Sequence, residues 1–157
     1  MKYNHTQIGY LMIAITLAVL VLFAHAQIQA RAEPPSVDSG SNFAITAIMA
    51  LTIFVLSSFC SLQVIIDDQY LKIKFGFGIY KKKFLLSGIV SAKTVKNKWY
   101  YGWGIRGWLC TNMIIYNVSG FDAVEIKLKN GKTYRIGTDE SNKLEQTILH
   151  SIKIWLK

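Results

Sequence analysis

Two long apolar runs occupy the start of the chain, and the spacing of apolar positions changes after them. Residues 8–28 and 43–62 contain no Asp, Glu, Lys or Arg. A run of about 20 apolar residues is long enough to cross the hydrocarbon core of a bilayer as a helix. At 1.5 Å per residue each helix measures about 30 Å. Between them, residues 29–42 hold Pro34 and Pro35 in a Ser-, Gly- and Asn-containing stretch that reads as a loop. Asn42 is placed to cap the second helix. Residues 1–62 are thus predicted to form a transmembrane hairpin.

Beyond Leu62 the repeat becomes two residues. Leu71, Ile73 and Phe75 alternate with Lys72 and Lys74, and Val124, Ile126 and Leu128 alternate with Glu125, Lys127 and Lys129. This is the pattern of strands with one wet face. Turn signals at Asp67-Asp68, Gly76-Phe77-Gly78, Ser119-Gly120 and Asn130-Gly131 divide the runs, and Asn-Gly between alternating runs marks a hairpin. Strands are predicted near 63–67, 69–75, 79–86, 89–97, 112–118, 122–129 and 132–137. The period then becomes helical: Leu144, Ile148, Ile152 and Trp155 share one face of a segment over 139–156. Thr138 or Asp139 is its expected N-cap. The fold class is therefore a membrane-anchored α+β protein, with one domain of about seven strands and a C-terminal amphipathic helix over residues 63–157.

Charge orients this arrangement. In residues 1–62, Lys2 and Arg31 balance Glu33 and Asp38, so the whole net charge of +9 falls on residues 63–157. Lys72, Lys74 and Lys81–Lys83 follow the second apolar run closely. Basic residues beside membrane helices favour the cytoplasmic side. The expected topology is two-pass, with the N-terminus and the C-terminal domain cytoplasmic and the linker outside. A signal peptide is the rival reading of the first run, because Ala24-His25-Ala26 has the small-x-small form of a cleavage site. The weak positive charge before the run stands against it.

Seven antiparallel strands closed by a helix is the order of the pleckstrin-homology (PH) superfold, and residues 63–155 resemble bacterial PH-like domains that follow membrane helices. The matching features are Gly102-Trp103-Gly104-Ile105-Arg106, Tyr116-Asn117-Val118-Ser119-Gly120, the hairpin around Asn130-Gly131, and Arg135-Ile136-Gly137-Thr138-Asp139 before the helix. The resemblance implies a PH-like antiparallel β-sandwich or barrel and a bacterial inner (plasma) membrane setting; it implies no enzymatic activity. The basic signature of inositide-binding relatives is missing from the Gly76-Phe77-Gly78 loop.

Candidate chemistry is sparse. Gly102-x-Gly104-x-x-Gly107 matches a dinucleotide-binding pattern in letters, but such a site needs a helix N-terminus after the glycines, and Trp108-Leu109 begins no helical pattern. A tight connection between strands explains the glycines as well. His5, His25 and His150 do not group with Cys60, Cys110 or the carboxylates into a metal or nucleophile set. No catalytic residue, metal ligand or cofactor is expected.

The distinctive composition lies between residues 96 and 108. Trp99, Tyr100, Trp103 and Trp108 interleave with Lys96, Lys98 and Arg106. Trp and Tyr favour the headgroup region of a bilayer, although the same rings also serve as core. Lys81, Lys82 and Lys83 read either as a surface drawn to anionic lipid or as a solvated strand edge. Those ten residues form the candidate lipid or partner surface. A basic, aromatic surface also matches nucleic-acid binding, but a membrane tether gives the charge a simpler partner. The expected function is a binding or scaffolding module at the membrane, meeting anionic headgroups, a protein partner or a second copy of itself. The alternative is an accessory subunit of a larger membrane complex, with an enzyme as a third class.

Overall fold

The computed structural model describes residues 3–32, 39–108 and 112–155. Pro34, Pro35 and Cys110 lie outside them. The chain begins with strand β1 (Tyr3–Ile8), followed by helices α1 (Tyr10–Ala32) and α2 (Ser39–Ser57). Three strands come next: β2 (Ser61–Ile66), β3 (Tyr70–Phe75) and β4 (Tyr80–Leu85). A short 3₁₀ turn (Leu86–Gly88) leads to β5 (Ile89–Lys96), and a second (Trp99–Tyr101) to β6 (Gly104–Trp108). The chain continues with β7 (Met113–Asn117), β8 (Asp122–Leu128), β9 (Thr133–Gly137) and helix α3 (Ser141–Trp155).

The strands form two sheets, ordered β1-β2-β3-β4 and β5-β8-β9-β7-β6. Their inner faces share one core with α3. Leu62, Val64, Ile73 and Phe75 come from the first sheet, Tyr116, Val124, Ile126 and Ile136 from the second, and Leu144, Ile148 and Ile152 from the helix. Aromatic contacts cross between the sheets. Phe84 and Tyr134 have ring centroids 4.6 Å apart, and the Tyr80 and Tyr116 hydroxyls are hydrogen-bonded at 3.0 Å. The Thr94 backbone N–H and hydroxyl both donate to Glu145, tying α3 to β5.

All seven predicted strands are present within two residues of their expected limits. Two more occur among the described residues, and each escaped the alternation rule for a physical reason. β1 turns Tyr3, His5 and Gln7 inward and Ile8 outward, the inverse of an apolar-in pattern. β6 has glycines at positions 104 and 107, which leave no alternation to read. The sheets do not close into a barrel, since β4 and β5 are linked by the 3₁₀ turn instead of pairing. Nor is the second sheet wholly antiparallel: β7 pairs parallel to β9, because the β8–β9 hairpin returns β9 alongside β7.

The helical part also differs from expectation. Among the described residues, only Tyr10–Ala30 is long and apolar enough to cross a membrane by length and composition; the apolar part of α2 is the shorter Phe43–Ser57. The second apolar run, 43–62, contains the helix, a turn and the start of β2, and continuous hydrophobicity conceals the change of conformation. α2 starts at Ser39, which puts Asn42 inside its first turn. The two helices run antiparallel. Gly9 N–H donates to the Cys60 carbonyl at 2.8 Å, Thr16 Oγ1 meets Cys60 Sγ at 3.8 Å, and Gln27 donates to Thr46 Oγ1 at 3.1 Å. α3 begins two residues after Asp139, and Thr138 Oγ1 accepts the Glu140 N–H just before it.

Candidate functional site

The register decides which loops lie near the helices. β1 ends at Ile8, just before α1; its partner there is Ser61, just after α2. Phe75 at the end of β3 faces Leu62, so the 76–79 turn lies at the helix end of the first sheet. Gly76 (φ 45°) donates its N–H to the Ser61 carbonyl and backs so closely onto the Ser58 carbonyl that a Cβ would overlap it.

The second sheet presents two loops at the same end. A Cβ on Gly9 would sit 2.9 Å from the Val118 carbonyl oxygen, and Gln7 donates to the Ser119 carbonyl at 3.0 Å. Asn117 also holds this loop, donating to the Gly120 carbonyl at 3.0 Å. The Asn97 N–H donates to the Phe121 carbonyl at 2.6 Å, which brings the 97–103 loop beside the 118–121 loop.

These three loops expose large apolar groups. Phe77 is 74% exposed, Ile79 58%, Phe121 49%, Trp99 78% and Tyr100 44%. Lysines flank them. Lys74 and Lys81 face each other across β3 and β4, and their aliphatic stems converge over Gly78, where a Cβ would lie 2.6 and 2.9 Å from their Cε atoms. Lys96 is the exposed last residue of β5. Lys98 has its ammonium 5.6 Å from the Tyr100 ring centre, and hydrogen bonding to Tyr100 raises its pKa. Trp103 and Arg106 line a hollow of about 430 Å³ with Met12 of α1 and Phe59, just after α2.

The predicted surface residues therefore divide. Lys96, Lys98, Trp99, Tyr100, Trp103 and Arg106 collect at the helix end, and Lys81 joins them from β4. Trp108 ends β6 opposite Met113, at the far end of that strand from Gly104. Lys82 and Lys83 face elsewhere: with Lys129 and Lys132 they line a cleft of about 390 Å³ between β4 and the β8–β9 hairpin. This cleft lies toward the opposite end of the sheets, where Leu85 pairs with Tyr70 and Ile89 with Leu128. Sequence reasoning missed Phe77, Ile79 and Phe121. The available signal was two apolar residues in a glycine turn, where a solvated hairpin would carry polar ones.

The glycine pattern at 102–107 leads into a strand, not a helix. Gly102 and Gly104 have φ of 63° and 97° and make the entry into β6. Backbone N–H groups at a helix start, which a pyrophosphate site needs, are missing there. Among the described residues, no three His, Cys, Asp or Glu side chains are grouped to hold a metal ion. No family model matches this chain, and no curated protein or solved structure shows significant similarity to it.

Proposed function

We propose that this chain is a two-pass membrane protein whose sheet domain rests its helix-proximal end on the lipid headgroups and serves there as a binding module. The observation that carries this reading is the set of three loops beside the helices, exposing Phe77, Ile79, Trp99, Tyr100 and Phe121 among Lys74, Lys81, Lys96 and Lys98. Rings and aliphatic groups surrounded by lysine ammoniums suit the boundary between acyl chains and anionic phosphates. Fully burying one such side chain contributes about 1.5–3 kcal/mol, and each nearby base adds about 1 kcal/mol against an anionic leaflet.

Connectivity supports two passes. β1 precedes α1 and pairs with β2, which follows α2. If α1 spans the bilayer, α2 must return the chain to the same side. The apolar part of α2, Phe43–Ser57, measures about 22 Å, shorter than the core of about 30 Å, so a return pass through α2 requires local thinning of the bilayer. The same connectivity argues against a cleaved signal: cutting after Ala26 would strip β1 from the sheet. The basic surplus favours a cytoplasmic domain. Two sheets sharing a core with a terminal helix are consistent with PH-like kinship, while the parallel β7–β9 pair departs from it.

The test uses the full chain, with Cys60 and Cys110 replaced by alanine, reconstituted in bilayers containing anionic lipid. A nitroxide on Phe77→Cys should be relaxed more strongly by lipid-soluble oxygen than by a water-soluble nickel chelate. One on Asn130→Cys should show the opposite preference. Equal, water-like behaviour at both positions would reject docking of this end on lipid.

A further inference from the structure

The cleft bearing Lys82, Lys83, Lys129 and Lys132 is not explained by membrane docking, because it lies away from the helix end. Its lining shows what shape it accepts. Lys82, Lys83, Phe84 and Leu85 are consecutive in β4 and all line it. Successive strand residues point to opposite faces, so a cleft touching four in a row runs along the strand's edge. β4 is the edge strand of its sheet, and its outer backbone groups have no strand partner among the described residues. Across the gap stand Leu128, Lys129, Asn130 and Lys132 of the β8–β9 hairpin. The Lys129 N–H donates to the Gly88 carbonyl at 3.0 Å, closing one end.

The charge is one-sided. No Asp or Glu lines the cleft, and none of its four lysines has an ion pair among the described residues. Phe84, Leu85, Leu128 and Tyr134 supply apolar surface between the ammoniums. A second copy of this chain is a poor occupant, since pairing β4 with β4 would set Lys81–Lys83 against the same lysines; like charges directly opposed are destabilising, and edge lysines are a recognised defence against such pairing. An extended chain with alternating acidic and apolar side chains meets every requirement. Its backbone completes the β4 edge, its carboxylates, all on one face, meet Lys82 together with Lys129 and Lys132 of the hairpin, and its apolar side chains on the other face cover Leu85, which alternates with Lys82 along β4.

We infer that this cleft binds an acidic, extended segment of a partner protein by strand addition to β4. The inference goes beyond membrane docking and does not depend on it.

The experiment uses the full chain in nanodiscs of neutral lipid and a labelled, end-blocked peptide of about ten residues alternating Glu and Val. Saturable binding is expected. It should weaken at least about tenfold in Lys82→Glu/Lys132→Glu, and by a smaller factor in Lys82→Gln/Lys132→Gln. N-methylating alternate peptide bonds on one edge should cost a similar factor, because the backbone donors are lost. Absence of peptide binding, or tight binding of the N-methylated peptide, would overturn strand addition. Displacement of the peptide by inorganic tripolyphosphate at lower concentration would overturn the peptide as occupant in favour of a phosphate ligand. Alanine at Phe77 and Trp99 should leave peptide affinity unchanged, so the membrane reading and this one fail separately.

Discussion

Asp67 shows how one side chain holds a turn and makes it sensitive to acid. Its Oδ1 accepts the N–H groups of Gln69 and Tyr70 at 3.0 and 2.7 Å, and its other oxygen pairs with Lys72. The Lys72 ammonium, helped by the two backbone donors, lowers its pKa from 3.8 to about 2. A depressed carboxylate pKa contributes stability above the ordinary value, and that contribution disappears as pH falls through about 2. Asp67→Asn should therefore destabilise the protein by about 1 kcal/mol at neutral pH, allowing for solvent screening of a partly exposed pair. The penalty should shrink as pH falls toward about 2 and be lost below it; urea unfolding in detergent at several pH values measures it. The sequence disclosed Asp67-Asp68 as a turn. That Lys72 folds back over it required the β2–β3 register.

Elements were legible where one face is apolar and the other charged. β3, with Leu71, Ile73 and Phe75 inside and lysines outside, could be read directly. β1 could not, since its inward side chains include Gln7 and His5; the buried Gln7 Nε2 donates to the Ser119 carbonyl, a contact far away in sequence. The same limit applied to the candidate surface. Lys96, Lys98 and the nearby rings announced themselves by composition, but the 76–79 and 118–121 turns joined them only through the folding of two sheets. α3 was predicted from its apolar stripe, yet its anchor to β5 is polar. Hydrogen bonds from Thr94 lower the Glu145 pKa. Glu145→Ala leaves the Thr94 N–H and hydroxyl without this acceptor and should cost about 1–2 kcal/mol. Hydrogen exchange should then rise in α3 and β5 while β2 and β3 keep their protection.

At the scale of the molecule, the two ends of the sheets carry different chemistry: exposed rings and lysines beside the helices, a lysine-lined edge cleft toward the other end. The proposed membrane placement makes a topological prediction. In cells, a membrane-impermeant thiol reagent added from outside should label Ser39→Cys and leave Thr6→Cys and Asn130→Cys unlabelled. Labelling of Thr6→Cys alone would separate β1 from β2 and refute the two-pass arrangement. The pairing of Tyr3 with Ile66 and Ile8 with Ser61 also constrains the order of assembly. During synthesis β1 leaves the ribosome before its partner exists, and such non-local pairing is slow to form. On the proposed two-pass topology, the first sheet cannot be completed until both helices have been made and the chain has returned to the side where β1 waits. If only one of the two helices crossed, β1 and β2 would lie on opposite sides, and the outer edge of β2 would be left bare and open to aggregation. In the proposed two-pass topology, strand β1 thus couples completion of the sheet domain to insertion of both helices.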